Sequence, residues 1–93
     1  MNVRKITPEE ISLVHFTHQD VLGDEEQKIL RAHKLVKAVM LSNMEHLDVG
    51  LILKLDTGEV IETFSNLVDF ADNYVEVKGG SLIPVWAIVD VEA

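Results

Sequence analysis

The chain contains no cysteine, so it can form neither a disulfide nor a thiolate metal site, and zinc fingers and ribbons are excluded. It has only two prolines and five aromatic residues (Phe16, Phe64, Phe70, Tyr74 and Trp86), and no Pro/Gly/Ser-rich linker or internal repeat divides it. No apolar run approaches the ~20 residues of a membrane-spanning helix; Leu51 to Leu53 and Val85 to Val89 are far shorter. The N-terminal stretch carries Pro8, Glu9 and Glu10 soon after Arg4 and Lys5 and has no secretory apolar region, which gives a cytoplasmic location as the expectation.

Basic residues are also scarce. Eight Lys and Arg face sixteen Asp and Glu, a formal charge of -8, and the imbalance is local. Residues 1–34 hold six acids and five bases, whereas residues 35–93 hold ten acids and three bases, a balance of -7. Neutralising phosphates requires Lys and Arg, so the second part is a poor nucleic-acid binder and suits a basic protein surface as partner. The same charge also keeps a small protein soluble.

What is present is enough aliphatic material for one core. With 47% hydrophobic and 26% charged residues in 93 positions, the chain reads as a single globular domain that must be held by packing alone. Thr7, Pro8 and Glu10 form a capping-box pattern, predicting a short helix to about Phe16 with Ile11 and Val14 on its apolar edge. Gly23 and Asp24 restart the chain, and Asp24 with Gln27 at the third helical position opens a second helix. Ile29, Ala32 or His33, and Val36 give that helix its apolar stripe, with Lys28, Arg31 and Lys34 off it. From Leu35 to Ser42 nearly every helical face is apolar, so either the helix continues fully buried or a strand begins near Lys37; the strand is favoured.

Beyond Leu47 the period becomes two: Leu47, Val49, Leu51, Leu53 and Leu55 alternate with the intervening residues. Asp56-Thr57-Gly58-Glu59 supplies a turn before a β-rich run from Val60 to Phe64. After a polar connection through Asp72 and Asn73, Tyr74 to Lys78 alternates again, Gly79-Gly80 turns the chain, and Ser81 to Ile83 returns. Pro84 ends or bulges that strand, and one turn through Val85 and Trp86 leads to a last strand from Ile88 to Val91. The expected fold is therefore mainly β: a helical segment over residues 1–36 and a small five-stranded SH3/Sm-like barrel over residues 37–93, with an α+β two-layer arrangement as the alternative. A barrel of few strands leaves an edge that a second copy can cover, so a homodimer is expected.

Leu41-Ser42-Asn43, Val60-Ile61-Glu62-Thr63, Lys78-Gly79-Gly80 and Ile83-Pro84-Val85 resemble a group of short uncharacterised bacterial proteins with a Leu-x-Asn, Val-Glu-Thr, Lys-Gly-Gly and Ile-Pro pattern. More distantly, the Leu-rich strand Leu51 to Leu55 with its Asp56-Thr57-Gly58-Glu59 turn is similar to the Rof antiterminators, small acidic Sm-like proteins that inhibit the Rho termination factor. The chain differs from them in its longer N-terminal segment. That resemblance implies an Sm-like fold and an RNA-handling protein as partner.

No constellation points to catalysis. Ser12, Ser42, Ser65 and Ser81 lie outside any Gly-x-Ser-x-Gly elbow, and Gly79-Gly80 lacks the Lys-Ser/Thr of a phosphate loop. His15 and His18 lack the frame and the further ligands of a metal site, so no metal or other cofactor is expected. The acids Glu9, Glu10 and Asp24-Glu25-Glu26 each sit in a first helical turn, where the helix dipole stabilises them. The reading is thus a non-catalytic interaction module, with the exposed acids Asp24, Glu25 and Glu26 meeting a basic partner. The competing expectation is an Sm-like RNA binder using the three-residue step of Lys28, Arg31 and Lys34, which Lys37 would extend. Trp86, after Pro84, is read as a core plug rather than a ligand anchor.

Overall fold

The computed structural model describes residues 3–71 and 73–92; Asp72, part of the expected polar connection, lies outside the described residues. Strand β1 (Arg4–Lys5) leads into a 3₁₀ helix (Pro8–Leu13), a long helix α1 (Glu25–Glu45), and strands β2 (Val49–Lys54), β3 (Val60–Ser65), β4 (Leu67–Ala71), β5 (Tyr74–Val77) and β6 (Leu82–Pro84). A second 3₁₀ turn (Val85–Ala87) precedes β7 (Ile88–Glu92). The strands form two sheets, one ordered β1-β3-β2-β7 and one ordered β4-β5-β6. Strand β1 is parallel to β3, and the remaining pairs are antiparallel.

Among the described residues the expected closed five-stranded barrel is not formed. The described residues make an α+β fold with two open sheets of four and three strands, which corresponds to the α+β alternative. The ladder breaks at Asn66, the single residue between β3 and β4. Its side-chain amide donates to the carbonyls of Ser42 and Leu47, 3.1 and 3.4 Å away. The chain thereby leaves the first sheet and starts the second. The first sheet ends laterally on β1 and β7, and the second on β4 and β6.

Helix α1 runs nine residues beyond the expected boundary at residue 36, through the stretch expected to begin the barrel. The physical reason is on its inner face: Arg31, Leu35, Ala38 and Ser42 recur every three or four residues and all are buried, so helical continuation keeps one face in the core. The helix lies against β4 and β7. Asp24 caps its start, its carboxylate accepting from the Glu26 N–H at 3.0 Å. His46 ends it in a left-handed conformation (φ 57°), with its N–H donating to the Ser42 carbonyl. The first expected helix is only a 3₁₀ helix that stops at Leu13, with Ile11 as its single buried residue; Glu10 accepts from the Thr7 N–H and hydroxyl at its start.

The strand pattern follows the sequence period. Val49, Leu51 and Leu53 of β2 are fully buried, Lys54 is exposed, and the core continues through Leu55, Ile61, Leu67, Val75, Val77, Ile83 and Ile88. Leu47 lies before the strand and is exposed. Gly58 (φ 89°), Gly79 (φ 100°) and Gly80 (φ 96°) take the positive φ that their turns require. Strand β4 was not anticipated, because Val68, Asp69 and Ala71 are exposed and leave little alternation to read.

Two contacts make sharp predictions. Ser42 is buried, and its hydroxyl donates to the Leu47 carbonyl at 2.9 Å while accepting from the Leu67 N–H at 3.1 Å. Ser42→Ala should cost about 1–3 kcal/mol in denaturant unfolding, because the Leu67 N–H is left buried without an acceptor. Gly50 pairs with Phe64 across β2 and β3, and a Cβ there would stand 2.9 Å from the Phe64 ring and 3.3 Å from the Glu92 Cβ. Gly50→Ala should destabilise by about 1 kcal/mol, and the double variant Gly50→Ala/Phe64→Ala should lose less than the two single changes added together.

Candidate interaction surface

The three cations of the expected RNA-binding stripe are brought onto α1 but do not form a free basic face. Arg31 is the most committed of them. Only 6% of its side chain is exposed, and its guanidinium donates twice to the Asp20 carboxylate, both at 2.9 Å, and once to the Ile88 carbonyl at 3.1 Å. Lys34 donates to Asp90 at 2.9 Å and Lys28 to Glu25 at 3.3 Å. Arg31 holds the Asp20 carboxyl below the usual carboxylate range, chiefly through these side-chain hydrogen bonds, and Lys34 does the same to Asp90. Lys37 is exposed and forms no ion pair among the described residues.

The acidic turn is placed otherwise. Asp24, Glu25 and Glu26 are all exposed at the first turn of α1, and the Glu25 side chain is 82% exposed despite its ion pair with Lys28. Asp24 has one oxygen engaged in the cap. At the far end of the helix Glu45 is exposed, followed by Asp48, so carboxylates stand at both ends of α1.

Between those ends lies a feature that the sequence pattern assigned to the core. The stripe through Ile29, His33 and Val36 was expected to face inward, with Arg31 off it; the fold does the reverse. Ile29 is 58% exposed and Val36 50%, and Met40 and Met44 extend the same face at 55% and 75%. At ~100° per residue, Ile29, His33, Val36, Met40 and Met44 share one side of the helix, opposite Arg31, Leu35, Ala38 and Ser42. Ala32, His33, Val36, Met40, Leu41 and Met44 line a shallow cavity of about 600 Å³ on this face. The signal in the sequence was an apolar run too broad for one buried face, which by itself fits a fully buried helix or a strand equally well.

His15 and His18 are exposed, and among the described residues no three His, Asp or Glu side chains cluster as metal ligands. Trp86 is partly buried, its indole N–H donating to the Thr17 carbonyl at 2.7 Å and its ring meeting Tyr74 edge-on at 5.6 Å. This pins the loop before α1 to the 3₁₀ turn, a bond reinforced by the Val21 N–H on the Trp86 carbonyl. Among the described residues no helix is long and apolar enough to cross a membrane. No family model, no curated protein and no solved structure matches the chain.

Proposed function

We propose that the protein is a non-catalytic interaction module that meets a basic protein partner through the outer side of α1, with Asp24, Glu25 and Glu26 supplying the charge. The observation that carries this reading is the outer stripe of α1, whose large apolar residues keep half or more of their surface exposed beside an unburied acidic turn. Exposed apolar area rimmed by charge is the usual composition of a protein-binding surface. Direct RNA binding draws no support from Lys28, Arg31 and Lys34, since each would first have to leave Glu25, Asp20 or Asp90. The resemblance of the Leu51 to Glu59 segment to the Rof antiterminators suggests a partner that handles RNA.

The test compares the wild-type chain with the triple reversal Asp24→Lys/Glu25→Lys/Glu26→Lys. Co-purification of a basic protein by the wild type and its loss from the variant is the expected result. Salt-sensitive affinity for single-stranded RNA, together with undiminished partner capture by the variant, would reverse the assignment.

A further inference from the structure

The outer face of α1 has a charge layout that selects among the elements able to cover it. From Ile29 to Met44 the stripe runs about 22 Å, at 1.5 Å per residue, which is the length of four helical turns. Ile29, Val36, Met40 and Met44 are each at least half exposed, so the stripe is open to a partner along its whole length. Carboxylates close both ends: Asp24, Glu25 and Glu26 at the start, Glu45 and Asp48 at the finish.

A second copy of the chain is a poor occupant. Packed in parallel, it sets each acidic end on its like; packed antiparallel, it sets Asp24, Glu25 and Glu26 against Glu45 and Asp48 and draws the two Lys37 side chains together near the centre. Either arrangement also joins two chains of formal charge -8. An element with its own apolar stripe, cations at both ends and none over Lys37 near the centre matches the surface. Two flexible methionines, Met40 and Met44, give that surface the adaptable side chains common where amphipathic helices dock.

Resting on the interaction-module reading above, we infer that the element of the partner that docks here is a basic amphipathic helix of about four turns, lying along Ile29, Val36, Met40 and Met44 with its Lys or Arg residues over the two acidic ends of α1.

Three synthetic 18-residue peptides provide the probe, titrated against the full chain by calorimetry. One carries Leu at helical spacing with Lys elsewhere, the second has the same composition scrambled so that no apolar face forms, and the third replaces Lys by Glu. The first should bind at least tenfold more tightly than either of the others. Polar replacement of the stripe in Val36→Ser/Met40→Gln/Met44→Gln should weaken that binding at least tenfold while leaving the circular dichroism spectrum and unfolding midpoint near wild type. The triple reversal at Asp24, Glu25 and Glu26 should weaken it as well, and should flatten its salt dependence.

If the stripe variant binds the first peptide as wild type does, or the scrambled peptide binds equally well, the helix-docking inference is overturned, while continued sensitivity to the acid reversal leaves the interaction-module reading in place. If the acid reversal has no effect on any peptide, the inference fails together with the basic-partner reading. A wild-type dimer in sedimentation that the stripe variant abolishes would overturn the inference by assigning this face to a second copy.

Discussion

Truncating Leu35 to alanine should destabilise the protein by about 3 kcal/mol, whereas the same truncation at the adjacent Val36 should change stability by no more than about 0.5 kcal/mol. The two positions are one residue and ~100° apart on α1, yet Leu35 is fully buried and Val36 is half exposed. Leu35 is the largest aliphatic side chain that α1 buries fully; its inner face otherwise offers Ala38, Ser42, the stem of Arg31 and the partly buried Val39. Losing it removes apolar burial and leaves a cavity between the helix and the sheets that small neighbours cannot fill. In a domain of this length, 3 kcal/mol corresponds to a fall in thermal midpoint on the order of 15 °C, well within reach of calorimetry. Equal losses at Leu35 and Val36 would refute the face assignment of α1 and, with it, the exposed stripe.

The second large effect concerns Arg31. Replacing Asp20 by alanine should cost about 2–4 kcal/mol, because it leaves a guanidinium in the protein interior with only the Ile88 carbonyl as partner. Its Nε already has no partner, so little spare hydrogen bonding offsets the loss. The comparison is Asp90→Ala, which breaks an ion pair whose side chains are 41% and 51% exposed and should cost under about 1 kcal/mol.

The pair also sets a pH dependence of known sign. The Asp20 carboxyl is held below its ordinary value by Arg31, so the folded state releases this proton more readily than the unfolded chain. Its stabilising contribution is therefore complete above the unfolded value near pH 4, and it is lost as pH falls through the lower folded value. Asp90 with Lys34, and Glu59 with Arg4, act in the same direction. The stability difference between wild type and Asp20→Asn should be flat from pH 7 to about pH 5 and should shrink below about pH 4. A gap that widened on acidification would contradict the ion-pair geometry.

The acidic turn was legible because its determinants are local: Asp24 caps the helix through a hydrogen bond to a backbone group two residues away, and the following glutamates must then occupy the exposed first turn. The failure of Lys28, Arg31 and Lys34 to form a basic stripe was not legible, since two of their three partners, Asp20 and Asp90, lie 11 and 56 residues away in sequence. Only the Lys28 pairing with Glu25, at three residues' separation, could have been anticipated from spacing.

The same division holds for the fold. By itself the sequence determined the start of α1, the alternating strand β2, the glycine turns at Gly58 and at Gly79-Gly80, and the last strand after Pro84, because capping, period-two burial and positive φ act over a few residues. Tertiary structure alone decided which face of α1 is buried, how far the helix runs, and that the strands form two open sheets. Each depends on long-range partners. Arg31 turns inward because Asp20 and the Ile88 carbonyl are there to receive it, and α1 continues to Glu45 because Ser42 finds Leu47 and Leu67. The chain changes sheets at Asn66, whose side chain bonds to the Ser42 carbonyl near the end of that helix while its backbone carbonyl accepts from the Lys78 N–H beside β5. A stretch with apolar residues on every face specifies helix and strand about equally well until such contacts remove the degeneracy.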